Sequence, residues 1–149
     1  MNKLQISQKS VQQIMIDEGC VLYAYKDSGG IWTIGCGHTQ GVKPGDTITK
    51  VQAITFLTSD CQNAVKQVND LNLPFNQNQF DAVVQLVYNI GIGRFQMQQL
   101  YKVMKLNVND ATIHDLFLNT CVHDAKGTVL SDLQARRKRN ADLYITPIV

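Results

Sequence analysis

The feature that most constrains this chain is a change of hydrophobic period near residue 49. Residues 22–38 read LYAYKDSGGIWTIGCGH, two alternating runs separated by Asp27-Ser28-Gly29-Gly30. That is the pattern of a β-hairpin closed by a turn. From Thr49 onward the period becomes helical. Thr49 with Gln52 forms a capping-box signature, and Val51, Ile54, Leu57, Cys61, Ala64, Val65 and Val68 mark one face of a long helix. A chain whose period changes here from 2 to 3.6 builds a small β-rich part and a larger helical part, an α+β fold that is mostly α.

The remaining punctuation fills in the order. Val11, Ile14 and Met15 predict an N-terminal helix, with Gly19 at its C-terminal cap. The stretch TQGVKPGDT is a loop or a short third strand. LNLPF breaks the long helix, and Asn76 with Gln79 caps the next. That helix runs through Phe80, Val83, Val84, Val87 and Tyr88 to Gly91 and Gly93, and is apolar enough to form the buried centre. Two shorter helices are predicted over 95–104, with Met97, Leu100 and Tyr101 inward, and over 111–118, with Ile113, Leu116 and Phe117 inward. HDAKGT is turn-rich, and Ser131 with Gln134 predicts a capping box for the last helix. At 149 residues this is one domain, with lobe 1 over about 18–60 and lobe 2 over about 70–149 plus the N-terminal helix.

Composition excludes several classes. A net charge of +2 is too small to argue for nucleic acid by itself. The opening MNKLQISQKSVQQIMIDEGC holds no apolar run long enough for a signal peptide or membrane anchor, so a cytosolic product without stable membrane insertion is expected. Cys20, Cys36, Cys61 and Cys121 form no CxxC pair and no CxxC…HxxxH spacing, which argues against a zinc site. Free thiols are the default in a reducing cytosol, and an even count leaves disulfides open.

Candidate chemistry lies around the hairpin. Glu18 is four residues past Ile14 and three past Met15, so it continues the apolar stripe of its helix and faces the negative end of the helix dipole. Both effects disfavour its ionised form, the property a general acid needs. Asp27, directly before Ser-Gly-Gly, is a turn former by residue type, yet a hydrated turn carboxylate stays charged and could activate water. Thr33 is explained by β propensity alone, or by a hydroxyl that helps hold water against Asp27. Trp32 reads as a packing residue and His38 as a hydrogen-bonded structural one. Tyr88-Asn89 is a helix end or a ring and amide offered to a cleft. The Arg136-Arg137-Lys138-Arg139 run reads as a solvated helix face.

With those residues in place, the sequence resembles the phage-type lysozymes, the endolysin muramidases of glycoside hydrolase family 24. The likeness rests on Glu18, Asp27 and Thr33 within E-G-x-x-L-x-A-Y-x-D and T-I-G-x-G-H. It continues through Asn78-Gln79-Phe80-Asp81-Ala82, Tyr88-Asn89-Ile90-Gly91 and Arg136-Arg137. The resemblance implies a two-lobed fold and hydrolysis of the β-1,4 bond between N-acetylmuramic acid and N-acetylglucosamine in peptidoglycan. It makes Glu18 the proton donor, sets Asp27 and Thr33 to position water, and puts Thr39, Tyr88 and Asn89 in the substrate cleft. It favours inversion of configuration. It implies a monomer that needs no cofactor or metal, accumulates in the host cytoplasm, and reaches its peptidoglycan strands through membrane holes made by a holin. Three positions depart from the family pattern: Cys36 replaces an aromatic residue, Cys20 a non-thiol residue, and Asn140 a Glu. A bacterial or tail-associated wall muramidase or effector, a silent glycan-binding module and a DNA-binding protein using the RRKR run remain alternatives.

Overall fold

The computed structural model describes residues 3–149. Its elements run α1 (Gln8–Glu18), β1 (Val21–Lys26), β2 (Trp32–Gly35), α2 (Lys50–Asp60), α3 (Gln62–Asp70), α4 (Gln77–Ile90), α5 (Ile92–Gln96), α6 (Gln99–Leu106), α7 (Ile113–Leu118) and α8 (Ser131–Ile145). The fold is α+β and mostly α, as expected. It divides into two compact units: Gln8–Asn63, and Ala64–Val149 together with the chain's first residues up to Ser7. The boundary falls inside α3.

The first unit is built on the hairpin. β1 and β2 pair antiparallel, with Val21 opposite Gly35, Tyr25 opposite Thr33 and Lys26 opposite Trp32, and a register shift between Val21 and Tyr25. The Lys26 ammonium lies 5.5 Å from the Trp32 ring centroid, which agrees with a packing role for Trp32. The stretch after His38 does not form a third strand. It returns along β1 through the Ala24 amide to the Asp46 carbonyl and the Ile48 amide to the Leu22 carbonyl.

α1 buries Val11 and Ile14, packs on α2, and so falls with the hairpin unit rather than with the helical unit, where the sequence reading placed it. Gly19, at φ +70°, turns the chain out of α1 into β1 in a left-handed conformation that an L side chain resists. The expected capping box of α2 is present, Thr49 and Gln52 satisfying each other's backbone amides. The predicted long connecting helix is broken in two at Cys61. Just before the break the Thr55 and Thr58 hydroxyls donate to the carbonyls of Val51 and Ile54, one turn back, a bond that bends helices.

The helical unit is organised around α4. Every residue from Gln79 to Val87 is buried, and the Asn76–Gln79 capping box opens the helix as predicted. Gly91 ends it at φ +84°, whereas Gly93 lies within α5. The single helix expected over 95–104 is two short ones, because the chain turns between Met97 and Gln98. Met97 is consequently exposed rather than inward, while Leu100 and Met104 are buried. Ile113 and Phe117 of α7 are buried, and Leu116 is half-buried. The Ser131–Gln134 capping box does not form: Leu130 is the N-cap, and its carbonyl accepts from the Gln134 amide.

α8 carries the largest departure from expectation. Arg137 is not on a solvated face but 1% exposed. Its Nε donates to the Thr120 carbonyl at 2.9 Å, one guanidinium nitrogen to Asn140 Oδ1 at 3.1 Å, and the other to Asn89 Oδ1. Asn140 in turn donates to Gln85 Oε1 at 3.1 Å. Among the described residues no buried side-chain polar atom lacks a partner, so this polar core is fully satisfied. Asn140 is thus a bridge between α8 and α4. Replacing Asn140 with Leu leaves the buried Arg137 and Gln85 one partner fewer each, and a loss of about 2–4 kcal/mol is expected. Denaturant unfolding of the variant measures it.

Candidate active site

Glu18 is the last residue of α1, and it is exposed. The apolar stripe of α1 ends at Ile14 and the half-buried Met15, so the carboxylate does not extend it into the core. The expectation from spacing fails because Gly19 ends the helix, and the residue beside it sits on the last turn rather than under the next one. The Glu18 carboxylate nevertheless has defined neighbours: it lies close enough to the Cys36 and Cys61 thiols to disfavour their ionisation.

Asp27 builds the hairpin turn. Its Oδ1 accepts from the amides of Gly29 at 2.8 Å and Ile31 at 2.9 Å. The backbone closes around it through Asp27 N–H to the Ile31 carbonyl and Gly30 N–H to the Asp27 carbonyl. Both side-chain bonds fall on one oxygen, and Oδ2 takes no donor among the described residues. The same arrangement recurs at Asp124, whose Oδ1 accepts from Lys126 and Thr128 while its backbone amide and carbonyl engage Thr128 and Gly127. The turn-forming role of Asp27 is therefore real.

Thr33 is buried in β2 opposite Tyr25. Its hydroxyl donates to the Ile31 carbonyl at 2.9 Å, which spends the proton and leaves the oxygen as an acceptor. Glu18, Asp27, Thr33 and the exposed Thr39 all belong to the hairpin unit. Tyr88 and Asn89, half-buried at the end of α4, belong to the helical unit, where Asn89 is held by Arg137.

His38 has the structural role its position suggested. Nδ1 is 3.0 Å from Asp60 Oδ2, Nε2 is 3.1 Å from the Gln40 carbonyl, and the ring stacks on Phe56 at 4.5 Å. These contacts fix the residue that precedes Thr39. Asp60 escaped the sequence reading because a polar residue late in an amphipathic helix carries no signal of its partner.

The thiols are the other feature that sequence could not place. Cys36 and Cys61 are buried, Cys20 is exposed, and Cys121 is half-buried in the helical unit. Burial, then the adjoining Cys20 thiol, then the Glu18 charge push Cys36 from 9.0 up to about 12. Burial, then Asp60, then Glu18 push Cys61 up to about 12 as well. Among the described residues no group of three or more His, Cys, Asp and Glu could hold a metal ion. Nor is any helix among them long and apolar enough to cross a membrane.

Comparison with known proteins decides the family. The phage lysozyme family matches residues 16–140, a span that holds Glu18, Asp27, Thr33 and the end of α4. The chain belongs to the phage lysozyme family. It is 37% identical to an endolysin of Acyrthosiphon pisum secondary endosymbiont phage 1, over 95% of this chain and 98% of that one. A solved structure of P22 lysozyme superposes with a TM-score of 0.86 at 34% identity, covering 96% of this chain and 99% of that one. The muramidase domain of SpmX from Asticaccaulis excentricus superposes at 0.83 with 33% identity, covering 96% and 99%.

Two measurements test this local physics. Replacing Asp27 or Asp124 with Ala deletes the same pair of amide bonds, and each is expected to lower stability by about 1–2 kcal/mol in denaturant titrations. The raised thiols have a pH signature. Below pH 9 they are protonated in both folded and unfolded chains. As pH climbs from 9.0 toward about 12 the unfolded chain ionises first, so this contribution to stability is lost across that window. A Cys36→Ala, Cys61→Ala double variant is expected to show a flatter decline of the unfolding midpoint from pH 9 to 12 than the parent.

Proposed function

We propose that the protein is an endolysin muramidase in which Glu18 is the proton donor and Asp27 and Thr33 hold the attacking water. The bond is the β-1,4 linkage between N-acetylmuramic acid and N-acetylglucosamine in peptidoglycan. Glu18 protonates the glycosidic oxygen as the C–O bond stretches, and positive charge that develops on the sugar is stabilised by the Asp27 carboxylate. Water then adds at the anomeric carbon from the opposite face, with inversion.

The hydrogen bonding of Asp27 and Thr33 carries this assignment. A nucleophilic water must give away its protons and aim a lone pair at carbon. Asp27 Oδ2, which takes no bond from the turn, can accept one proton. Thr33 Oγ1, its own proton spent on the Ile31 carbonyl, can accept a hydrogen bond from the other. Both groups are thus acceptors, the polarity the step requires. Support from sequence is that Glu18, Asp27 and Thr33 stand in the family's order inside the matched span.

Thr39, Tyr88 and Asn89 contact the glycan in this reading. The enzyme acts as a monomer without a cofactor, is held in the host cytoplasm, and reaches the wall through holes made by a holin, a functional rather than a physical partner. The burial of Arg137 removes the continuous cationic face that a DNA-binding role for the RRKR run would need.

Glu18→Gln is expected to lose at least about 100-fold in lysis of purified cell walls with circular dichroism unchanged, the scale of a lost general acid. Asp27→Asn, which keeps an acceptor oxygen for the turn, should fall comparably. Asp124→Asn, in the twin turn, should lyse as the parent does. Mass analysis of the released muropeptides should give reducing-end muramic acid. Anhydro ends, or substantial lysis by Glu18→Gln, remove the assignment.

A further inference from the structure

Two cysteines flank one backbone pair of the hairpin. Val21 opposes Gly35 in the hairpin, Cys20 immediately precedes Val21, and Cys36 immediately follows Gly35. The Cys20 thiol is near enough to be one of the groups that push the Cys36 thiol up. Opposed strand residues such as Val21 and Gly35 have Cα atoms about 4.5–5.5 Å apart, which brings the flanking Cys20 and Cys36 toward the range of about 4.4–6.8 Å that a disulfide spans. Cys20 is exposed and Cys36 buried, so one thiol is open to a reagent and the other is held against it.

We propose that Cys20 and Cys36 are a built cross-linking site, which closes by exchange with a small disulfide oxidant once the protein meets an oxidising environment. The Cys20 thiolate attacks one sulfur of the oxidant, whose disulfide breaks and releases its first thiol. Cys36 then gives up its proton and attacks Cys20 Sγ, expelling the second. Two protein thiols are oxidised to one disulfide, one oxidant disulfide is reduced to two thiols, and the two cysteine protons end on those thiols.

The bridge ties the chain just past Glu18 to the turn that follows β2, and so closes a loop that holds Asp27 and Thr33. Because Val21 is already paired with Gly35, closure needs no strand to slip. The bridge is a staple on the active form, not an off-switch. Its chemistry is asymmetric. A thiol pushed up to about 12 attacks slowly and leaves slowly, so the bridge forms gradually and resists mild reductants once made. Cys61, whose charge also bears on Cys36, is the competitor for pairing. None of this depends on the role assigned to Glu18, because the bridge is read out by mass and by melting.

The test incubates the reduced full chain with oxidised glutathione at pH 8, blocks residual thiols with iodoacetamide, and maps peptides without reduction. The expected result is one intramolecular Cys20–Cys36 link, two remaining free thiols, and a Tm several degrees higher that dithiothreitol reverses slowly. Cell-wall lysis should be retained. Cys20→Ser should show no rise in Tm, and Cys61→Ser should behave as the parent. Four free thiols, a Cys36–Cys61 link, a dimer through Cys20 or glutathione left on Cys20 overturns the proposal, as does a mapped bridge with unchanged Tm. The peptide map of the unsubstituted chain decides the pairing even if a variant misfolds.

Discussion

One carboxylate oxygen closes the hairpin on which the proposed chemistry depends. Oδ1 of Asp27 gathers the Gly29 and Ile31 amides and fixes the reversal between β1 and β2. That reversal sets Thr33 opposite Tyr25 and brings the Ile31 carbonyl to the Thr33 hydroxyl. The charge that a hydrolytic site would use is thus also the staple of the local fold, divided between two oxygens. A side chain that binds backbone through one oxygen loses rotamer freedom, so the second oxygen is aimed without further ordering cost.

The helical unit solves a different problem, how to seat a buried cation. Arg137 lies in the core with three neutral acceptors named around it: a carbonyl of residue 120 and the amide side chains of Asn140 and Asn89. Asn140 also uses its donor side on Gln85, which a Glu at that position could not do in its charged form. Asn140 therefore extends the network from α8 into α4. It ties Asn89, at the end of α4, to the same buried framework.

Much of the architecture was legible because it is written in period and punctuation. The hairpin, both capping boxes at Thr49 and Asn76, the buried run of α4 and the left-handed Gly19 follow from local rules, and the structure holds each of them. What was illegible depends on partners distant in sequence. Arg137 looks like its three cationic neighbours until Thr120, Asn89 and Asn140 surround it. The break at Cys61 is hidden because the apolar stripe runs straight through it, while the threonine hydroxyls that bond back to the carbonyls before it lie on the polar side. Glu18 was misjudged for a related reason. Spacing extrapolates a helix, and a glycine cap stops it. Its chemical neighbours, the thiols of Cys36 and Cys61, come from β2's end and the α2–α3 junction.

The twin turns at Asp27 and Asp124 show why local geometry does not assign function. The two aspartates make the same side-chain and backbone bonds, down to the glycine three residues on that donates to the aspartate carbonyl. An argument from turn chemistry alone would treat them alike. What separates them is the company each turn keeps. The strand leaving Asp27 carries a threonine whose hydroxyl has been turned into a pure acceptor, and the strand entering it begins three residues after Glu18. Asp124 is followed by Val129 in a lone bridge to His123. The proposed reactivity is thus a property of a turn plus the residues that its strands deliver. The structural role of Asp27 is the condition for the proposed catalytic one rather than its rival.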